Sequence, residues 1–176
     1  MPIGYQGESM FLKNLGISVF FGLVLAVSVQ GATVSFMVIE TGLREETPVI
    51  ESSRIWEDAL LDVFFDTGHI VSNSPIIRVP EKPQTGLPDA AKVSLDEALE
   101  GGADFFVVAV LDYQNPPASA QEIPKPRSIS LRLFKTAPYQ FIFSQEYTGE
   151  QRITMKDEMT NAMGAARIIV SHLKDK

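Results

Sequence analysis

The most constraining feature of this sequence is the uninterrupted apolar run from Phe105 to Leu111, which follows the glycine pair Gly101-Gly102 closely. Seven apolar residues without alternation are typical of a strand that is buried on both faces of a sheet. Such a strand needs helices above and below it, so the run predicts an α/β architecture. Glycine adopts the left-handed backbone conformation at little cost, and the pair is therefore sufficiently explained as a helix stop ahead of the strand.

Strand-like patterns recur on both sides of this run. They are rich in β-branched residues or alternate between apolar and polar residues, and Pro138 restricts the turn of a late hairpin. The predicted strands are residues 32–40, 69–79 (interrupted by Pro75), 103–113, 128–135 and 139–149. With the helices described next, the predicted order is β-α-β-α-β-β-β-α. We expect an α/β (α+β) fold with a single mixed sheet and helices packed on the sheet.

Three segments have helical periodicity. The first is capped by Ser52 or Ser53 and stopped by Gly68, and the second is a short helix with Ser94 as its N-cap in a capping box. Thr154 can cap the third, which runs towards the end of the sequence. The inner stripe of the first is Ile55, Trp56, Ala59, Leu60, Val63 and Phe64, and that of the third is Met155, Met159, Ala162, Met163, Ala166, Ile169 and Val170.

The first forty residues have the layout of a secretory signal peptide. Lys13 is followed by an uncharged, mostly apolar run from Leu15 to Val29 and by small residues before Ala32. We expect residues 1–31 to be the signal, with translation starting at Met10, and residues 32–176 to form a single α/β domain. An uncleaved membrane anchor over residues 12–31 is the competing interpretation, although a span usually needs about 20 apolar residues.

Composition excludes several classes of function. The net charge is −7, so no basic footprint for nucleic acid is present. The sequence has no cysteine, which rules out disulfides, thiolate nucleophiles and cysteine-bound metals. It also contains no G-x-S-x-G nucleophile elbow and no glycine-rich phosphate loop.

The residues that could support chemistry are few and scattered. His69 has Asp66 three residues before it, and His172 has Asp175 three residues after it, but neither pair matches a metal motif. Asp157 and Glu158 are explained by a favourable interaction with a helix dipole. We expect Trp56 to pack in the core rather than bind a partner. We therefore predict no catalytic, cofactor-binding or metal-binding residues, and no cofactor.

Three longer segments, 58–74, 98–113 and 129–149, resemble parts of a known domain. "DALLDVFFDTGHIVSNS" ends a helix at glycine and enters a strand; "ALEGGADFFVVAVLDY" repeats the pattern, and "ISLRLFKTAPYQFIFSQEYTG" is similar to a closing hairpin. Together they resemble the α/β domain of the TolB amino-terminal region, the curli secretion lipoprotein CsgG and lipoprotein activators of penicillin-binding proteins. The resemblance covers about Val34 to Leu173 and implies a bacterial envelope protein that binds other proteins. No lipobox cysteine and no β-propeller follow, so we expect neither the usual lipidation nor a complete TolB.

Three hypotheses about function follow. The first is a non-enzymatic, periplasmic adaptor that binds an envelope protein, through the proline-rich loops 80–92 and 114–127 or an exposed sheet edge. The second is a binder of a small molecule or peptidoglycan fragment, with a hydrolytic variant, in which Glu45, Glu46 and Asp112 lie near a pocket. The third is an inner-membrane protein whose only contact with the membrane is the uncleaved signal segment.

Overall fold

The structure, a computed structural model, describes residues 31–44, 48–80, 87–113, 124–149 and 153–173. They form one six-stranded sheet and three helices, and the predicted fold class and element order are confirmed. Pro75 lies between the two halves of the interrupted strand region, as expected. The elements are β1 (Thr33–Thr41), α1 (Glu51–Asp66), β2 (Ile70–Asn73), β3 (Ile77–Val79), α2 (Asp89–Glu100), β4 (Phe105–Asp112), β5 (Ser128–Lys135), β6 (Gln140–Thr148) and α3 (Met155–His172).

The sheet is mixed and has the order β2-β1-β4-β5-β6, with β3 pairing β1 beyond β2. β1 is parallel to β2, β3 and β4, whereas β4–β5 and β5–β6 are antiparallel. Val34 lies opposite Phe105, so the first strand pairs with the apolar run. Within the described part of the chain, β6 forms one edge of the sheet.

Two apolar cores cover the two faces of the sheet. Alternation along β1 sends Phe36 and Val38 to one face and Met37 and Ile39 to the other. The first face packs on α1 and α3, and the second packs on α2. Every residue of β4 is buried, because helices cover both faces of that strand.

Glycine ends both helices that precede a strand, as predicted. Gly68 follows α1 with φ +85°, and Gly102 follows α2 with φ +77°. At the second stop, the Gly102 N–H donates to the Leu99 carbonyl at 3.0 Å and the Ala103 N–H donates to the Ala98 carbonyl at 2.9 Å. These bonds satisfy carbonyls at the helix end and turn the chain into β4.

The predicted starts of the first two helices were wrong. α1 has Ile50 as its N-cap, and Ser52 and Ser53 lie inside its first turn with fully buried side chains. Their hydroxyls bond to tertiary partners and not to the helix terminus, which explains the correction. α2 begins at Asp89 after Pro88, so it takes in the end of the predicted loop 80–92, and Ser94 is an interior residue. The Thr154 cap of α3 is confirmed, since its hydroxyl accepts from the Asp157 N–H at 3.2 Å.

Two glycine-to-alanine substitutions should change stability in opposite directions. Gly102→Ala should lower the free energy of unfolding by about 1–2 kcal/mol, because it forces a Cβ into the left-handed conformation. Gly164→Ala should raise it by about 0.5–1 kcal/mol, because Gly164 lies inside α3 and a Cβ there meets nothing within 4 Å. Urea denaturation of the two variants checks both signs. Equal effects of the two substitutions would contradict the assignment of Gly102 as a conformational stop.

Candidate binding groove

A groove of about 630 Å³ lies between the end of β6 and α3. α1 forms part of its floor, and the segment that leads into β5 forms one end. Its lining residues are Trp56, Pro126, Ile129, Glu146, Tyr147, Thr148, Gly149, Ile153, Glu158, Thr160, Asn161, Gly164, Ala165 and Ile168.

Two aromatic side chains in this lining bear polar groups that have no hydrogen-bond partner in the described part of the chain. Trp56 of α1 is only 3% exposed, which confirms its predicted burial, and its ring centroid lies 6.3 Å from that of Tyr147 of β6. Among the described residues, nothing accepts from the Trp56 indole N–H and nothing bonds to the Tyr147 hydroxyl, although both atoms are buried. Burial also raises the pKa of Tyr147. Leaving such a group unpaired typically costs about 1–3 kcal/mol, so the pair needs an explanation.

The rest of the lining is mainly apolar and has room for a ligand side chain. Ile129, Ile153 and Ala165 line the groove, and Ile168 on α3 is 38% exposed. Gly164 faces open space, since a Cβ built on it would meet no atom within 4 Å. The missing side chain at this helical position therefore leaves the groove unfilled.

A buried polar cluster anchors α3 beside the groove. The Ser52 hydroxyl donates to one carboxylate oxygen of Glu158, and the Lys125 ammonium donates to the other. Glu158 is 5% exposed, and these two partners bond to both of its carboxylate oxygens. The cluster ties the first turn of α3 to α1 and to the segment before β5.

A second hydrogen bond extends this cluster towards β4. The Ser53 and Tyr113 hydroxyls lie 2.8 Å apart. Burial raises the pKa of Tyr113 well above its usual range; hydrogen bonds from Ser53 and Ser52 lower that pKa, and the charges of Glu40 and Glu158 raise it. Tyr113 therefore stays neutral in the folded protein at any ordinary pH.

A separate ion pair links β1 to β3 near the start of α1. Glu40 is buried at the end of β1, where it pairs with Arg78 of β3 and accepts from the Ile50 N–H at 2.9 Å. Arg78 also donates to the Arg44 carbonyl at 2.9 Å. These contacts give the Glu40–Arg78 ion pair a structural role. Neither Glu40 nor Arg78 lines the groove.

The two histidines have separate structural roles. The Ala32 N–H donates to Nδ1 of His69 at 3.1 Å, at the junction of α1 and β2. His172 stacks on Phe143 with ring centroids 4.1 Å apart. Across the described ranges, no group of three or more His, Cys, Asp or Glu side chains could hold a metal ion. Asp175, the neighbour of His172, lies outside the described residues.

Of the three carboxylates proposed for a small-molecule site, the structure describes only Asp112. Asp112 is buried at the end of β4 and accepts from the Thr41 hydroxyl at 3.3 Å, and it does not line the groove. Glu45 and Glu46 lie outside the described residues. Of the proline-rich loop 114–127, the described end supplies Pro126 to the groove and Lys125 to the Glu158 cluster.

Sequence reasoning missed the buried role of Glu158. The predicted inner stripe of α3 included Met155, which is 43% exposed, and left out Glu158. A signal was present, because Glu158 precedes Ala162, Ala165 and Ile169 at intervals of 4, 3 and 4 residues, and all four are buried.

The shifted pKa of Tyr113 predicts a specific loss of stability in alkali. Above about pH 10 an unfolded tyrosine releases its proton while folded Tyr113 keeps it, so the free energy of unfolding should fall as pH rises. Tyr113→Phe should remove up to about 1.4 kcal/mol per pH unit of that fall, as measured by urea denaturation at about pH 9–11.5. The exposed Tyr139→Phe is the matched control. Identical slopes in the two variants would rule out this linkage.

Comparison with known proteins gives limited structural likeness. Similar solved structures include a PelC dodecamer from Paraburkholderia phytofirmans (14% identity, 77% of this chain and 85% of that chain, TM-score 0.45). They also include TolB from Acinetobacter baumannii (9% identity, 82% of this chain and 30% of that chain, TM-score 0.39). A third is the LpoB C-terminal domain from Escherichia coli (12% identity, 77% of this chain and 94% of that chain, TM-score 0.39). Because every TM-score is below 0.5, these likenesses carry no argument about activity or partners.

The predicted resemblance to TolB thus has a counterpart among solved structures, whereas the resemblance to CsgG and to activators of penicillin-binding proteins stays a prediction. None of the curated proteins matches the sequence. The model of a family described as "Uncharacterised protein" matches residues 33–160, which is more than half of the chain, and the chain therefore belongs to that family.

Proposed function

We propose that this chain is a non-enzymatic adaptor of the bacterial cell envelope and that the groove between β6 and α3 binds its protein partner. The observation that carries the proposal is a pair of buried polar groups in the groove lining, on Trp56 and Tyr147, that have no hydrogen-bond partner among the described residues. A partner that supplies hydrogen-bonding groups there removes the cost of leaving them unpaired.

The composition of the groove supports a protein as its ligand. Buried aromatic residues beside aliphatic ones are typical of the central part of a protein interface. Trp56 and Tyr147 lie next to Ile129 and Ile168, with polar Thr160 and Asn161 also in the lining. The proposal keeps one binding surface suggested by the sequence, an exposed sheet edge. Of the two proline-rich loops suggested by the sequence, it keeps only Pro126, near the end of loop 114–127, which lines the groove.

The proposed location depends on the sequence of the first 31 residues. They have the charged start, apolar run and small residues of a signal peptide, and they precede the first described strand. No helix of the described residues is long and apolar enough to cross a membrane. We propose that residues 1–31 direct export and are removed, and that residues 32–176 act in the periplasm as one domain.

A small-molecule ligand is the second candidate, favoured by the size of the groove. About 630 Å³ falls within the range of about 300–1,000 Å³ that is usual for small-molecule sites. Among the described residues, the carboxylates that line it are Glu146 and Glu158, and Glu158 is already held by Ser52 and Lys125.

In-cell photo-crosslinking tests the protein-binding proposal. With Asn161, which is exposed and lines the groove, replaced by benzoylphenylalanine, irradiation should give one discrete adduct with an envelope protein, identified by mass spectrometry. Adding Gly164→Met should reduce the adduct about tenfold or more, because the new side chain enters the groove while methionine favours the helix.

Ser171→Leu is the matched control for Gly164→Met. It adds a comparable apolar side chain to an exposed position of the same helix outside the groove, so the adduct should persist. No adduct at Asn161, or an equal loss in both variants, would refute groove binding.

The mass of the mature protein tests the proposed export. Removal before Ala32 leaves residues 32–176, and mass spectrometry of protein from the periplasmic fraction should give the mass of that segment. A mature chain that retains residues 12–31 and sediments with membranes would replace this proposal with the anchored alternative.

A further inference from the structure

We infer that one end of the domain rests on a lipid bilayer, with exposed aromatic and aliphatic side chains inserted among the lipid headgroups. This end, the entry end, is where β1, β2, β4 and β6 begin and where β5 ends. The lipid contact is separate from the groove. It goes beyond the proposed function, because it names a second surface that holds the adaptor in the envelope.

Strand pairing defines the entry end as one row of residues across the sheet. Thr33 of β1 lies opposite Ile70 of β2. Lys135 of β5 lies opposite Phe105 of β4 and Gln140 of β6. The parallel pairing of β1 with β4 joins these two groups. Helices α1 and α2 also end at this row, because each stops directly before a strand that begins there.

The entry end carries exposed large hydrophobic side chains, among them the two most exposed of the described residues. Phe65, in the last turn of α1, is 72% exposed, and Ile70, the first residue of β2, is 66% exposed. Tyr139 and Phe141, at the start of β6, are each more than half exposed, and Leu99 near the end of α2 is also exposed. Monomeric domains rarely leave such side chains together in water, so this end is expected to be a contact surface.

The aromatic side chains at the start of β6 are held in place although they are exposed. The ring of Tyr139 stacks on that of Phe134 with centroids 5.7 Å apart and 10° between the ring planes. Phe141 meets the same ring at 64°. Phe134 is buried, so it supports both exposed rings from the core side. A side chain such as Tyr139, with an apolar ring and a polar hydroxyl, suits the boundary between lipid and water.

The sequence before β1 favours a membrane as the occupant of this surface. The apolar run from Leu15 to Val29 ends four residues before Thr33, the first residue of β1. Four residues span at most about 14 Å. A signal peptide crosses the inner membrane during export, and until it is removed it holds the start of β1 within that distance of the bilayer. Lipid is therefore the nearest surface for the exposed apolar side chains beside β1.

The charges at the entry end favour neutral lipid. Asp66 and Glu100 are exposed there, each directly after one of the exposed apolar side chains, and Lys135 is half-buried. The whole chain carries −7, so anionic lipid repels it. Contact through this end should accordingly depend on apolar insertion into neutral lipid, such as phosphatidylethanolamine, and not on attraction between opposite charges.

A domain held by the entry end presents the candidate groove away from the bilayer. Thr148 and Gly149, which line the groove, lie at the opposite end of β6 from Gln140. At about 3.3 Å per residue, the length of β6 separates Thr148 from Gln140 by roughly 26 Å. A soluble partner can therefore reach the groove while lipid covers the entry end.

Vesicle binding by the mature protein tests the lipid contact. Protein from the periplasmic fraction should sediment with vesicles of phosphatidylethanolamine and phosphatidylcholine, and high salt should not release it, because apolar insertion is not screened. Phosphatidylglycerol in place of phosphatidylcholine should weaken binding. Phe65→Ser combined with Ile70→Ser should weaken it about tenfold or more, because apolar area is lost at both positions.

Val93→Ser is the matched control for these substitutions. Val93 is also exposed, but it lies inside α2 and not at the entry end, so its replacement should leave vesicle binding unchanged. All three positions are on the surface, and unchanged urea denaturation of each variant shows that folding does not cause the difference.

A fluorescent label locates the contact on the molecule. The sequence has no cysteine, so Ile70→Cys and Met155→Cys can each carry a single nitrobenzoxadiazole label. Met155 is exposed in the first turn of α3, and the bond between Ser52 and Glu158 places that turn beside the start of α1, away from the entry end. The label at Ile70 should gain fluorescence on vesicles and be quenched by spin-labelled lipid, whereas the label at Met155 should do neither.

The lipid contact is refuted if the mature protein does not bind vesicles, if Val93→Ser weakens binding as much as the paired substitutions, or if lipid quenches both labels equally. A concentration-dependent dimer that shields the Ile70 label in the absence of vesicles would refute it as well. If the mature chain retains residues 12–31, the same labels are compared in proteoliposomes, where an Ile70 label that stays in water refutes it. The Asn161 adduct depends on none of these results, so failure here leaves the groove proposal standing, and loss of the adduct leaves the lipid contact standing.

Discussion

The parallel pairing of β1 with β4 is the constraint from which the remaining architecture follows. Both strands are buried along nearly their whole length, so both faces of the sheet centre must be covered by helices. On one face that requirement is met by α1 and α3 side by side, with Ala162 and Ala165 of α3 buried in the core. The cover thins towards the sheet edge, and the groove lies where α3 passes the end of β6.

Sequence patterns predicted the fold best where one cause acts alone. A left-handed glycine such as Gly68 stops a helix whatever surrounds it, and an unbroken apolar run is a central strand in any α/β sheet. Helix starts were less predictable because a serine hydroxyl has competing partners. Ser52 and Ser53 satisfied the capping pattern but bond to Glu158 and Tyr113, which are distant in sequence.

The candidate site was hidden from the sequence for a related reason. Burial of Trp56 was predictable from its helical stripe, but the tertiary packing decides which groups reach its indole N–H, and none of the described residues accepts from it. The sequence shows that Gly164 has no side chain, but only the structure shows that this position lines a groove. Glu158 could have been found, since it shares the helical spacing of the buried alanines, but an acidic residue near a helix start already had a simpler explanation.

Glu158 and the indole of Trp56 are both buried polar groups, but they differ in their hydrogen-bond partners among the described residues. Glu158 has the ammonium of Lys125 and the hydroxyl of Ser52 as partners, so its burial fixes α3 in place. Within the described ranges, the indole N–H of Trp56 has no such partner, although Trp56 lies on the same helix as Ser52. The domain thus supplies two partners for the buried Glu158, whereas the described residues supply none for the indole of Trp56, so binding of a partner at the sheet edge could complete the second group.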